Sequence, residues 1–218
     1  MKKLIFHFIF LAIAMSSCSS DDCIEGDGTV ISENRIVSDY TSVSNLSTID
    51  IIISGRSDSN DIIEISGEQN IVEVITTDII ENTLEIDYDS NCIMTNSSPI
   101  VTVAQDDLDI ITNTSTGDIM GVISSDSLTI NNESTGDISL SGSILNNLTI
   151  SNEGTGDIIV DNIESNIVMV ENGSTGDIYV TAVNSLSGSI SGTGDVYYKG
   201  SPTLDVEVTG TGELIDNN

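Results

Sequence analysis

The chain has 218 residues, of which 35 are acidic and only five are lysine or arginine, for a formal net charge of −30. Such a surface repels nucleic acid and anionic lipid headgroups, and attracts divalent cations or basic partners. The one histidine, His7, sits in an apolar N-terminal run and there is no tryptophan. Beyond that run, no Ser-His-Asp site, Cys-His site or histidine-ligated metal centre can be built.

Chain order begins with Lys2 and Lys3, then an apolar run Leu4–Met15 interrupted only by His7, then Met15-Ser16-Ser17-Cys18. Residues 1–17 read as a signal peptide, too short and wrongly flanked for a transmembrane helix. Small residues directly before a cysteine resemble a bacterial lipobox, with Met15 where leucine is usual. The resemblance implies cleavage before Cys18 and acylation of that residue, and several acyl chains hold a protein on a membrane firmly. The other reading is a secreted protein with Cys18 in a disulfide. Ser19-Ser20-Asp21-Asp22 resembles the acidic tag that takes some Bacteroidetes lipoproteins to the outer face of the outer membrane; otherwise 18–27 is a plain polar tether. Loss of Lys2 and Lys3 leaves Arg35, Arg56 and Lys199 against 35 acids, a net charge of −32. With Cys18 acylated, Cys23 and Cys92 remain as the candidate disulfide of an oxidising compartment.

From residue 28 onward short alternating runs rich in isoleucine, valine and threonine, such as "TIDIIIS", "IIEIS" and "TLEID", are separated by Gly, Asn, Asp and Ser. They predict strands. Residues 28–110 read as coils of poor register, the atypical end a repeat stack needs to close its core. Residues 111–218 repeat clearly. Thr-Gly-Asp/Glu units place glycines at Gly117, Gly136, Gly156, Gly176, Gly194 and Gly212, in steps of 19, 20, 20, 18 and 18 residues. An aliphatic residue follows two positions later (Ile119, Ile138, Ile158, Ile178, Val196, Leu214), and Leu128, Leu148, Val168, Leu186 and Leu204 precede each later glycine by eight. Ile130, Ile150, Val170 and Val206 precede it by six, with Ser187-Gly188 breaking the fifth copy.

A period of about 19 residues is too short for two helices. At roughly 3.3 Å per residue it traces a coil of about 60 Å perimeter, and coils would stack at roughly 4.8 Å. The fold class expected is all-β, a right-handed single-stranded parallel β-helix (β-solenoid) whose aliphatic residues stack inward. The glycines are expected to supply corners of positive φ. Asp118, Asp137, Asp157, Asp177, Asp195 and Glu213 would then form an acidic column. Neighbouring carboxylates at that spacing repel by roughly 1 kcal/mol in water. Backbone N–H groups at the turns are the favoured compensation; Ca²⁺ bridging the column is the second, and a catalytic carboxylate pair the third. No other cofactor is expected.

The recurring "STGDI" and "GTGDI", the closing "GTGDVYYKGSP…GTGEL" and the earlier "NRIVSDYTSVSNLSTIDIIISG" resemble the head GIN domain of auto-transporter adhesins, common in Bacteroidetes lipoproteins. The resemblance covers roughly 28–215. This chain writes threonine where the family usually has a second serine, and often lacks the first glycine. What it implies is a β-helical fold and a cell-envelope location, with no catalytic residues to carry over. The functional expectation is a non-enzymatic, lipid-anchored surface protein with a protein or glycan partner. Its aligned Thr116, Thr135, Thr155, Thr175, Thr193 and Thr211 would offer a hydrogen-bonding column. A polysaccharide-acting enzyme using Asp pairs is the alternative, disfavoured because its acids should break the repeat at one place. The Asn-x-Ser/Thr sites at Asn45, Asn96, Asn113, Asn132, Asn147 and Asn172 read as chance occurrences, and alternation turns Tyr198 inward beside Tyr197.

Overall fold

The computed structural model describes residues 23–55, 62–143 and 145–218. The signal segment, Cys18, the Ser19–Asp22 tag and Arg56 lie outside the described residues. Among those described, the sole helix is a single turn, Gln69–Val72. Nearly every other ordered element is a strand of one 17-stranded sheet wound on itself.

The repeat read from the sequence is the register of the fold. On one flank, Asp50–Ile53 pairs in parallel with Ile119–Ile123, which pairs with Ile138–Gly142. The stack continues through the first halves of Ile158–Asn172 and Ile178–Ile190 to Val196–Lys199 and Leu214–Asp216. The opposite flank stacks Ser42–Asn45, Ile110–Asn113, Ser127–Asn132 and Leu145–Asn152. Beyond them come the second halves of the two long strands, then Thr203–Val208. The molecule is a β-solenoid. Residues one repeat apart are paired partners: Ile119, Ile138, Ile158, Ile178 and Val196 form one file, each fully buried. Leu128, Leu148, Val168 and Leu186 form another, at most 2% exposed. Each such side chain contributes about 1.5–3 kcal/mol relative to exposure. The differing repeat lengths are absorbed where the two flanks meet, at register shifts between Ile159 and Ile167.

The far end of the second file departs from expectation. Leu204 ends the second file but is 45% exposed, because no described strand lies beyond Thr203–Val208 to cover it. Ser187-Gly188 does not break the stack: Gly188 stays in file between Val170 and Val206. Its φ of +129° and the Val170 carbonyl oxygen, which a Cβ would approach to 1.8 Å, explain the glycine.

Residues 28–110 are not simply poor coils. Val30–Ile36 runs antiparallel to Ile62–Glu68, which runs antiparallel to Ile100–Val103. Ile75–Ile80 and Thr83–Tyr88 form a hairpin turning at Glu81 and Asn82, both at positive φ, the two-residue turn whose twist matches antiparallel strands. Thr83–Tyr88 and Ile100–Val103 pair in parallel with Ser42–Asn45 and Asp50–Ile53. The segment 42–53 is therefore sandwiched between 83–103 and 110–123, so stacking order departs from chain order. The antiparallel strands and the helical turn, with Ile71 and Val72 fully buried, close the apolar end of the stack. Arg35 ties this lid together, pairing with Glu33 and donating to the Val72 and Ile75 carbonyl oxygens. Cys23 and Cys92 form a disulfide beside a short parallel pair, Ile24–Glu25 with Ile93–Met94.

Candidate functional site

The recurring turn is built by side chains that satisfy its own backbone. An asparagine four residues before each early glycine is buried and donates from Nδ2 to the carbonyl oxygen at the glycine position. Asn113 reaches Gly117 at 2.8 Å, Asn132 reaches Gly136 at 3.1 Å, and Asn152 and Asn172 reach Gly156 and Gly176 at 3.0 Å. Ser134 and Ser174 donate to the Oδ1 of Asn132 and Asn172, and their hydroxyls accept from the Gly136 and Gly176 N–H groups. A buried donor left without a partner costs roughly 1–3 kcal/mol, a loss that each of these Nδ2 groups avoids.

Asn45-Leu46-Ser47-Thr48-Ile49-Asp50 is a further copy of this turn. Asn45 Nδ2 donates to the Ile49 carbonyl oxygen at 2.9 Å, with Ile49 in the glycine position. The comparison of "NLSTIDI" with "NTSTGDI" was the available signal, obscured by the missing glycine. The asparagine file was likewise legible as a column, ending where Ile190 and Val208 replace it.

The glycines of the turn do not adopt positive φ, contrary to expectation; the positive-φ glycines are Gly28, Gly121, Gly142, Gly188 and Gly200. Their reason is proximity. A Cβ on Gly136 would lie 2.2 Å from the Gly117 carbonyl oxygen, and on Gly156 or Gly176 2.1 Å from that of the preceding glycine.

The acidic column is real and structurally employed. The Asp118 N–H donates to Asp50 Oδ1 at 3.0 Å. At 2.8 Å the N–H groups of Asp137, Asp157, Asp177, Asp195 and Glu213 donate to Oδ1 of Asp118, Asp137, Asp157, Asp177 and Asp195. Each carboxylate caps the next coil rather than its own turn, and the N–H dipoles offset the repulsion along the file. Among the described residues no three His, Cys, Asp or Glu side chains converge as a metal cage would require.

Beside the acids runs an outward file of Ile52, Met120, Ser139, Ile159, Tyr179, Tyr197 and Ile215. Tyr179 and Tyr197 stack with ring centroids 4.7 Å apart and planes 5° from parallel. Their hydroxyls donate to Asp177 Oδ2 and Asp195 Oδ2 at 3.4 and 3.3 Å. Desolvation, reinforced by the Asp177 charge, pushes Tyr179 up to about 12, and Tyr197 is raised for the same reasons. Further along the flank Lys199 reaches Asp161 at 2.7 Å across two coils. Tyr198 is half-buried against the core, as alternation requires. On the other side of the acids, Thr48, Thr116, Thr135, Thr155, Thr175, Thr193 and Thr211 are all exposed. A shallow depression of about 340 Å³ opens at the Thr48 end of this threonine file, lined by Thr48 with Leu46, Tyr88, Asn91 and Cys92, and with Asp87 as its carboxylate.

The chain matches the family described as "Putative auto-transporter adhesin, head GIN domain" over residues 93–202, just over half its length. The chain belongs to this family. Among solved structures, this head GIN chain is similar to a "putative adhesin" from Bacteroides fragilis at 23% identity and TM-score 0.64, covering 88% of this chain and 98% of that one. A "putative adhesin" from Parabacteroides distasonis matches at 17% identity and TM-score 0.58, covering 89% and 100%. A "putative lipid binding protein" from the same species matches at 17% identity and TM-score 0.55, covering 88% and 99%. At these identities the likeness is one of fold. No curated protein matches the head GIN chain.

Proposed function

We propose that the chain is a lipid-anchored envelope protein displaying its solenoid at the cell surface as a non-enzymatic adhesion or interaction module. The observation that carries this reading is the uniform commitment of the acidic column to the scaffold. From Asp50 to Asp195 every Oδ1 accepts an N–H from the next coil. A catalytic acid–base pair needs two carboxylates held apart by environment, one of them protonated at working pH. Here the acids repeat in one arrangement, and none has been set aside. The flank offers a partner a different asset: exposed threonine hydroxyls at regular intervals, flanked by carboxylates and the tyrosine pair. A glycan or a polar protein surface of matching repeat is the occupant that suits it. The family description and the acidic, cation-poor composition support the same reading. So does the lipobox-like run ending at Cys18, which supplies the anchor.

Two experiments test it. Surface labelling of intact cells should modify the protein, and Cys18→Ala should release it from the membrane fraction. Labelling only after lysis, or unchanged membrane retention of C18A, would defeat the anchored surface reading. A pull-down and glycan array with the purified protein should retain a ligand, and substituting alternate flank threonines by lysine should abolish retention. Hydrolase or lyase activity lost with a single Asp substitution would replace this reading with the enzymatic one.

A further inference from the structure

The two ends of the solenoid differ. The N-terminal end is closed by antiparallel strands and a helical turn, with Arg35 clamping them. At the other end, Thr203–Val208 pairs on one side with Ser185–Ile190, and among the described residues nothing pairs with its outer side. Leu204 and Val208 are 45% and 47% exposed, whereas their partners Leu186 and Ile190 are fully buried. Val206 and Leu214 beside them are half-buried. The strand thus presents a hydrogen-bonding edge and the open cross-section of the core together.

Strand alternation orients that edge. The Thr209 N–H donates back to Ile190 O. Alternation from it sends the N–H groups of Leu204, Val206 and Val208 to the free side. The same three residues direct their side chains toward the core, while Asp205 and Glu207 lie between them on the outer face. A strand added here would continue both the sheet and the aliphatic files, and would set its own outward residues directly opposite Asp205 and Glu207. Opposite charges at such positions stabilise the pairing and like charges oppose it. Two copies pairing through this strand would place carboxylates against carboxylates, on chains each of net charge −30. The acids therefore select against a second copy.

We propose that the edge of Thr203–Val208 takes up an extended segment of a partner protein that alternates aliphatic residues with lysine or arginine. Main-chain bonds to Leu204, Val206 and Val208 give affinity, the aliphatic positions cover the core, and the basic positions give specificity. This inference rests on the interaction-module reading, and names for it a site distinct from the threonine flank.

The test uses the full chain and two fluorescent peptides, one alternating valine with lysine and one alternating valine with glutamate. The valine–lysine peptide should bind at least about tenfold more tightly. Because a polyanion attracts any polycation, the deciding variant is Val206→Pro. It removes an edge donor while leaving the bonds to the preceding coil, and should weaken binding by at least about tenfold. Asp205→Lys with Glu207→Lys should reverse the preference. Should V206P not fold, amide exchange in the unaltered protein decides: the N–H groups of Leu204, Val206 and Val208 should slow when the valine–lysine peptide binds. Equal affinity for both peptides, binding indifferent to V206P, or no change in these three amides would overturn the proposal. Slowing that grows with protein concentration and no peptide would assign the edge to a second copy instead. If the edge fails these tests while the pull-down still retains a ligand, this inference falls and the interaction-module reading stands. If nothing is retained by any route, the reading itself falls.

Discussion

At the scale of single residues, the turn shows how a motif can be conspicuous for one reason and present for another. Thr-Gly-Asp suggested a corner requiring positive φ, yet these glycines hold ordinary φ and are small because a carbonyl oxygen of the coil below occupies the place of a Cβ. That contact joins residues a full repeat apart, so no local reading of the turn could contain it. Gly156→Ala, with a Cβ 2.1 Å from Gly136 O, should therefore destabilise the protein by about 1–3 kcal/mol or more, read from the urea midpoint. An equivalent change at exposed Gly28, where nothing lies within 4 Å, should be limited to the strain of its φ of +105°. The acids invite a paired test. Asp157→Asn retains an acceptor for the Asp177 N–H and relieves repulsion from Asp137 and Asp177, so stability should hold or rise. Asp157→Ala leaves that N–H without its partner and should cost about 1 kcal/mol. If both variants lose stability equally, charge rather than the capping bond is what the column contributes.

Among elements, the parallel strands were legible and the lid was not. Files such as Ile119–Ile138–Ile158 follow from a fixed interval alone, since equal spacing forces equal register. The lid strands Val30–Ile36 and Ile62–Glu68 carry the same alternation, but alternation does not state whether a neighbour runs parallel or antiparallel. That choice is made by the open core end they cover. The Glu81–Asn82 turn was similarly readable only once the hairpin was known. The disulfide was readable on one condition, that acylation takes Cys18 out of the count of three cysteines; Cys23 and Cys92 join across a separation of 69 residues. Its loss in Cys23→Ser should lower stability by roughly 2–4 kcal/mol. Amide exchange should locate the loosening in Ile24–Glu25, Ile93–Met94 and the adjoining lid, leaving the repeats from Ile119 onward protected.

For the whole molecule, acidity and burial set a stability window in pH. Tyr40 is buried and pushed up to about 12, and Tyr179 also reaches about 12. In the unfolded chain tyrosine ionises near 10. The folded state excludes that charge, so their contribution is complete below pH 10 and is lost as pH rises from 10 toward 12. Absorbance titration should show these phenols ionising late, together with unfolding. At the acid end Glu68 is held below the usual carboxylate range, chiefly by the hydrogen bond from Asn96. Its contribution is present above the unfolded value and disappears as pH falls through its folded value. Glu68→Gln should flatten the acid limb of the stability profile. The sandwiched segment 42–53 has a consequence in time. Ser42–Asn45 lies between Thr83–Ile86 and Ile110–Asn113, so its slot is walled on both sides by residues that leave the ribosome after it does. Growth from the N-terminus one coil at a time is closed to this chain. The regular C-terminal windings can assemble from neighbours alone, and the front of the molecule must wait, threaded in from both sides. Pulse-labelled exchange during refolding should find the amides of Ile130 and Ile150 guarded earlier than those of Val43 and Ile51; the reverse order would mean the front nucleates first.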